Sequence, residues 1–122
     1  MSRAPKDSLR QLSARLRDFA RERDWEQFHS PKNLSMALIA EAAELVEHFQ
    51  WLSEAQSYQL ADDKREAVAL ELADILIFLL RIAERLDLDP VAAAWRKIEI
   101  NEDRYPADKV RGDARRASEY DD

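Results

Sequence analysis

The sequence is 122 residues long, 46% hydrophobic and 36% charged, with one glycine, four prolines, no cysteine and a formal net charge of −6. The cysteine count excludes disulfides, thiolate metal sites and a cysteine nucleophile. The acidic balance argues against a nucleic-acid polymer as partner, and low glycine and proline favour helices over sheets with their turns.

In chain order, residues 1–6 read as a short lead, and Asp7 or Ser8 can cap a first helix to about Asp24. Leu9, Leu12, Leu16 and Phe19 form its apolar stripe. An aromatic connector, Trp25 to His29, leads to Ser30-Pro31, a serine cap followed by proline at the first helical position. The second helix is expected to run to about Leu52. Polar residues from Ser53 to Asp62 read as a loop. Asp63-Lys64-Arg65-Glu66 has the spacing of a capping box, opening a third helix to about Leu86. Asp89-Pro90 repeats the cap-then-proline signal for a fourth helix, which Pro106 closes near Arg104. The fold class expected is all-α, a four-helix bundle in one domain spanning 1–122. Its core is expected at about 7–106, with a charged, mobile tail over 107–122 that includes Lys109, Arg111, Arg115 and Arg116. No stretch approaches a membrane span, and the N-terminus lacks an apolar export segment. A soluble cytoplasmic chain with no membrane partner is expected.

Four acids carry the chemistry. Glu41 and Glu44 lie at i, i+3 in ALIAEAAELVEHFQWL, and Glu71 and Asp74 repeat that spacing in VALELADILIFLLRI. On a helix each pair projects from one face. Glu41 falls on the apolar seam of Leu34, Leu38, Leu45 and Leu52, and a wholly apolar run follows Asp74. Carboxylates so flanked, with no lysine or arginine at the helix centres, need protonation or a divalent cation. Oxygen-only ligands point to a hard ion, magnesium or manganese, which also takes phosphate oxygens. An antiparallel pairing of the second and third helices would bring the two pairs together. Di-iron bundles use Glu-x-x-His, and neither pair has a histidine at i+3.

ExxE, the 26 residues from 45 to 70, then ExxD, together with RERDWEQFHSPKNL, FQW and KIEINEDRYPADK, resemble the MazG-like all-α nucleoside triphosphate pyrophosphohydrolases, dCTP pyrophosphatase branch. The resemblance covers residues 9 to 112. It implies a magnesium enzyme that converts a nucleoside triphosphate, dCTP or a modified dCTP foremost, to monophosphate and pyrophosphate. It also implies a homo-oligomer, dimer or tetramer. Glu41, Glu44, Glu71 and Asp74 would hold the metal. Trp25, His29 and Trp51 would line the base and sugar pocket, with Phe78 standing where vertebrate dCTP enzymes have a tyrosine. Lys97, Asn101, Arg104 and Tyr105 would serve the triphosphate. Leu16, in the place of a vertebrate histidine, and Phe78 open the choice of nucleotide to another pyrimidine or a damaged triphosphate. A helical interaction module that binds metal without catalysis is the alternative from another class. His48, one turn beyond Glu44, reads as a surface residue or a partner of the acids.

Overall fold

The computed structural model describes residues 8–114. Contacts divide the chain into two compact units, Met1–Leu88 and Asp89–Asp122. The first holds α1 (Leu9–Glu22), a 3-10 turn (Glu26–Phe28), α2 (Pro31–Glu47), α3 (Glu54–Ser57) and α4 (Asp62–Arg85). The second holds α5 (Pro90–Arg104) and α6 (Ala107–Val110). The described residues are all-helical with no strand, as expected, but they form six α-helices rather than four. The two additional helices are single turns, and both fall in stretches read as loop or tail.

Three of the four long helices, α1, α2 and α5, start where the caps said they would. The Ser8 hydroxyl accepts the Gln11 N–H at 3.4 Å, the Ser30 hydroxyl accepts that of Asn33 at 3.0 Å, and the Asp89 carboxylate accepts that of Ala92 at 3.0 Å. The Asp7 alternative and the 1–6 lead lie outside the described residues, as do Arg115 and Arg116.

Two boundaries differ from expectation. α2 stops at Glu47 because Ser53 starts a new helix: its hydroxyl accepts the Gln56 N–H at 3.1 Å, and the Gln56 side chain accepts the Ser53 N–H at 2.9 Å. This reciprocal capping box requires extended backbone at Ser53 (ψ 165°), which no α-helix can continue through. The box expected at Asp63 does not form. α4 starts earlier, with extended Ala61 as cap, and Asp62 and Asp63 sit in its first turn against the positive end of the dipole.

α1 and α4 end alike, without glycine. Asp24 and Asp87 each take φ of 54°, the left-handed region. Beyond them the Trp25 N–H reaches the Ala20 carbonyl at 2.9 Å and the Leu88 N–H reaches that of Ala83 at 2.8 Å. These are Schellman closures with aspartate in the position glycine usually takes.

Within the first unit α4 packs along α2 and also touches α1. The direction follows from two contacts. His29, just before α2, meets Arg81 near the end of α4, while His48, just after α2, meets Glu71 in its first half. The pair is antiparallel. Leu34 of α2, Leu80 and Ala83 of α4 and Ala20 of α1 are the buried apolar residues among those described. Many large apolar side chains are left exposed, including Leu72 and Leu79 on α4 with Leu86 at its C-cap, all at heptad spacing, and Met36, Ile39 and Val46 on one side of α2. No helix of the described residues is long and apolar enough to cross a membrane.

Candidate active site

Antiparallel packing of two helices, each carrying acids at i, i+3, sets the carboxylates of one against those of the other. One oxygen each from Glu41, Glu44 and Glu71 lie within 4.8 Å of one another. Oε2 of Glu41 and Oε2 of Glu71 are buried and have no hydrogen-bond partner. Glu44 is exposed at the open side of the group. Among the described residues no lysine or arginine forms an ion pair with any of these acids. The His48 imidazole approaches them, its Nε2 standing 3.8 Å from Glu71 Oε1. Asp74, half-buried one turn beyond Glu71, lies outside the three-oxygen group. Its charge nonetheless acts on Glu41.

The electrostatics follow from that crowding. Desolvation first, then hydrogen bonding to Glu44, then the charges of Glu44 and Asp74, push Glu41 from 4.5 up to about 7. A divalent cation relieves the same crowding without protons. The donor set fits one: three carboxylate oxygens are hard ligands, Oε2 of both Glu41 and Glu71 is buried and unsatisfied, and ligands of a small hard ion stand roughly 3–4 Å apart.

The residues expected to meet the nucleotide fall in four places. Trp25 and His29 are neighbours on the connector before α2, their ring centroids 6.2 Å apart. Phe19 of α1 presses edge-on to Trp25 at 5.7 Å, and Trp25 remains 43% exposed. Trp51 stands in the turn after α2, 86% exposed, and Phe78 is half-buried on α4, one turn beyond Asp74. Lys97, Asn101 and Arg104 follow at i, i+4 and i+7 along one side of α5, in the second unit. The Tyr105 N–H closes on the Asn101 carbonyl at 2.8 Å, and the Arg104 guanidinium lies 5.7 Å from the Tyr105 ring.

Two arginines that the sequence reading passed over fasten the connector to α4. Arg81 Nε donates to His29 Nδ1 at 3.4 Å, and Arg85, one turn on, donates through Nε to the His29 carbonyl at 3.1 Å. Arg81 is 2% exposed, and its guanidinium also donates to Glu84 at 3.0 Å. Desolvation, then the charges of Arg81 and Arg85, hold His29 below its usual 6.5, with Glu26 opposing. The signal was present: Arg81 is the one charge inside the apolar run from Ile75 to Ala83, and a charge so placed needs a partner.

The MazG-like family model matches residues 37–120, which is most of the chain. This chain belongs to the MazG-like family. It is 43% identical over 113 residues to dCTP pyrophosphatase 1 of Rattus norvegicus, covering 91% of this chain and 66% of that protein. With dCTP pyrophosphatase 1 of Homo sapiens it shares 41% over 118 residues, 95% of this chain and 69% of that protein. The chain thus spans about two thirds of the length of these relatives. Among solved structures it is similar to a pyrophosphatase from Archaeoglobus fulgidus DSM 4304, with a TM-score of 0.77 and 34% identity over 87% of this chain and 99% of that one. The family read from ExxE, ExxD and the segments around them is therefore the family found. The MazG-like match begins four residues before Glu41 and includes all four acids.

Proposed function

We propose that this chain is a magnesium-dependent nucleotide pyrophosphohydrolase that converts dCTP, or a modified dCTP, to the monophosphate and pyrophosphate. The observation that carries the reading is the cluster of Glu41, Glu44 and Glu71, with two buried oxygens unsatisfied, in a MazG-like chain. Similarity to proteins named dCTP pyrophosphatase 1 supports the substrate.

Glu41, Glu44 and Glu71 would hold the cation, with Asp74 alongside. Bound magnesium, or manganese in its place, supplies positive charge to the phosphate oxygens and lowers the pKa of a coordinated water. One of these carboxylates, Glu41 or Glu44, would take the proton as water attacks and the bond between α- and β-phosphates breaks. Trp25 and Trp51 present faces on which a base can stack, and His29 a ring nitrogen for its edge or the sugar. Phe78 contributes an apolar contact without a hydroxyl. Lys97 and Arg104, two turns apart on α5, supply positive charge for the triphosphate, with Asn101 and Tyr105 beside them. The family match runs from residue 37 to residue 120, which supports taking both compact units as one pyrophosphohydrolase domain at work on the cytoplasmic nucleotide pool.

The exposed stripes support a homo-oligomer, dimer or tetramer. Leu72, Leu79 and Leu86 repeat every seven residues, the period at which a second helix packs. Light scattering should return a multiple of 14.2 kDa; a monomer at working concentration refutes this part.

The deciding assay is pyrophosphate release from a panel of canonical and modified triphosphates, with magnesium and with chelator. Magnesium-dependent release favouring cytidine nucleotides, lost in Glu44→Ala, is expected. Release unchanged in Glu44→Ala would refute the site. Release equal for all bases would discard the Trp25–His29–Trp51 pocket. No release from any triphosphate would leave the non-catalytic metal-binding module. Leu16 and Phe78 favour one second reading, the same chemistry on another pyrimidine or a damaged triphosphate, which the same panel decides.

A further inference from the structure

Arg81 is the buried charge that the proposed reaction leaves unused. It sits on α4 between Leu80 and Ile82, is 2% exposed, and touches neither the carboxylate cluster nor solvent. Holding an arginine there is costly unless its donors are used. One terminal nitrogen donates to Glu84 at 3.0 Å, Nε donates to His29 Nδ1 at 3.4 Å, and the other terminal nitrogen is buried without a partner. An arginine kept dry while one donor goes unmet is held for what its other donors do. Its one long-range hydrogen bond is to His29, 52 residues away in sequence.

The chemistry of that bond is one-directional. A guanidinium can only donate, so the nitrogen facing it has to be a lone pair. Neutral imidazole has one N–H and one lone pair; with the lone pair on Nδ1, the proton is on Nε2 at the far side of the ring. We propose that Arg81 is a positioning residue that fixes His29 in the Nε2–H tautomer, so that His29 meets the nucleotide as a hydrogen-bond donor, to a carbonyl or sugar oxygen. This rests on the reading of Trp25 and His29 as part of the nucleotide pocket. Arg85 complements it by holding the main chain of the same residue, its Nε donating to the His29 carbonyl at 3.1 Å. Arg81 therefore sets the ring's proton, and Arg85 sets where the ring is hung.

The other charges around His29 agree. Arg85 adds positive charge from α4, and Glu26 of the 3-10 turn opposes it. Glu26 itself is engaged by Arg21 of α1 at 3.3 Å, and Glu84 by Arg81. The negative groups nearest the ring are thus already paired, which leaves little to draw a second proton onto it.

The test is a ring-nitrogen NMR spectrum of the full chain in chelator, in which His48 supplies the only other histidine signals, combined with turnover of the best triphosphate. The wild type should show a neutral His29 protonated on Nε2 throughout pH 7–8. Arg81→Met should give mixed tautomers and a raised His29 pKa, and should raise KM about tenfold with kcat changed by no more than about twofold. Arg81→Lys, which keeps the charge and a donor, should recover part of both. Arg85→Met should lower Tm while leaving the tautomer in place. A wild-type ring protonated on Nδ1, or an Arg81→Met ring spectrum identical to wild type, overturns the proposal. Should Arg81→Met fail to fold, the wild-type spectrum and Arg81→Lys still decide it. The two failures read differently: inactivity of the wild type on every triphosphate refutes the nucleotide reading on which the proposal rests, whereas the wrong tautomer refutes the role of Arg81 whatever the activity.

Discussion

Replacing Glu41 by glutamine should make the metal-free protein more stable, by an amount that grows as pH rises from 4.5 to about 7. One carboxylate oxygen each from Glu41, Glu44 and Glu71 lie within 4.8 Å of one another, and among the described residues no lysine or arginine is paired to them. Two unit charges at 4.8 Å repel by about 0.9 kcal/mol in water and about 3.5 kcal/mol at an effective dielectric of about 20. Glu44 is exposed, so the lower end governs its share; relief of both contacts is worth about 1–3 kcal/mol. For a chain of 122 residues that is roughly 4–10 °C in Tm. The sign follows from the proton. Glu41 goes from 4.5 unfolded to about 7 folded, so the folded state binds the proton more tightly, and the stability this confers is lost progressively between those two values and is gone once pH has risen through about 7. His29 works the other way: its folded value is lowered, so its contribution grows as pH rises toward 6.5. Subtracting the wild-type curve from that of Glu41→Gln isolates Glu41. Thermal unfolding in chelator at pH 5 to 8 should show the two proteins close at pH 5, with the variant ahead at pH 8. Magnesium should then raise the wild type and raise the variant less. A variant equal to or less stable than wild type at pH 8 in chelator would falsify the crowding argument.

Three further outcomes follow from local geometry. Ser53→Ala removes half of a reciprocal capping box and should cost about 1 kcal/mol in chemical denaturation; no loss would mean that α3 contributes nothing to the fold. Asp87→Gly relieves a left-handed residue whose φ is 54° and should stabilise by about 0.5–1 kcal/mol, with a loss of stability counting against strain there. In manganese titrations by calorimetry, Glu44→Gln should weaken binding at least about tenfold. Asp74→Asn should weaken it less, because Asp74 lies outside the three-oxygen group; equal losses would place Asp74 among the ligands.

The sequence made the starts of three long helices legible because they are chemically marked. Ser8, Ser30 and Asp89 each proved to hold the cap hydrogen bond. The two ExxE-type pairs were legible because i, i+3 acids inside apolar runs demand an explanation. The α3 turn was missed although Ser53 and Gln56 stand at capping-box spacing, since a polar stretch this short reads equally as loop. Asp63 drew the box instead, and lost to Ala61 because extended backbone there lets two aspartates enter the first turn. Arg81 was the larger omission. Periodicity sees a face, and only packing shows that the face is closed and that the charge within it reaches His29.

The leucines at 72, 79 and 86 bear on how the protein exists at all. Among the described residues many large apolar side chains stay exposed within one chain. Where those leucines are matched by a neighbour, folding and encounter become a single equilibrium, and the abundance of the protein sets its own melting point. A cell making little of it would then lose proportionally more to proteolysis than one making much, and a substitution such as Leu79→Glu would be felt first as a drop in steady-state level, before any change in the chemistry of the carboxylates.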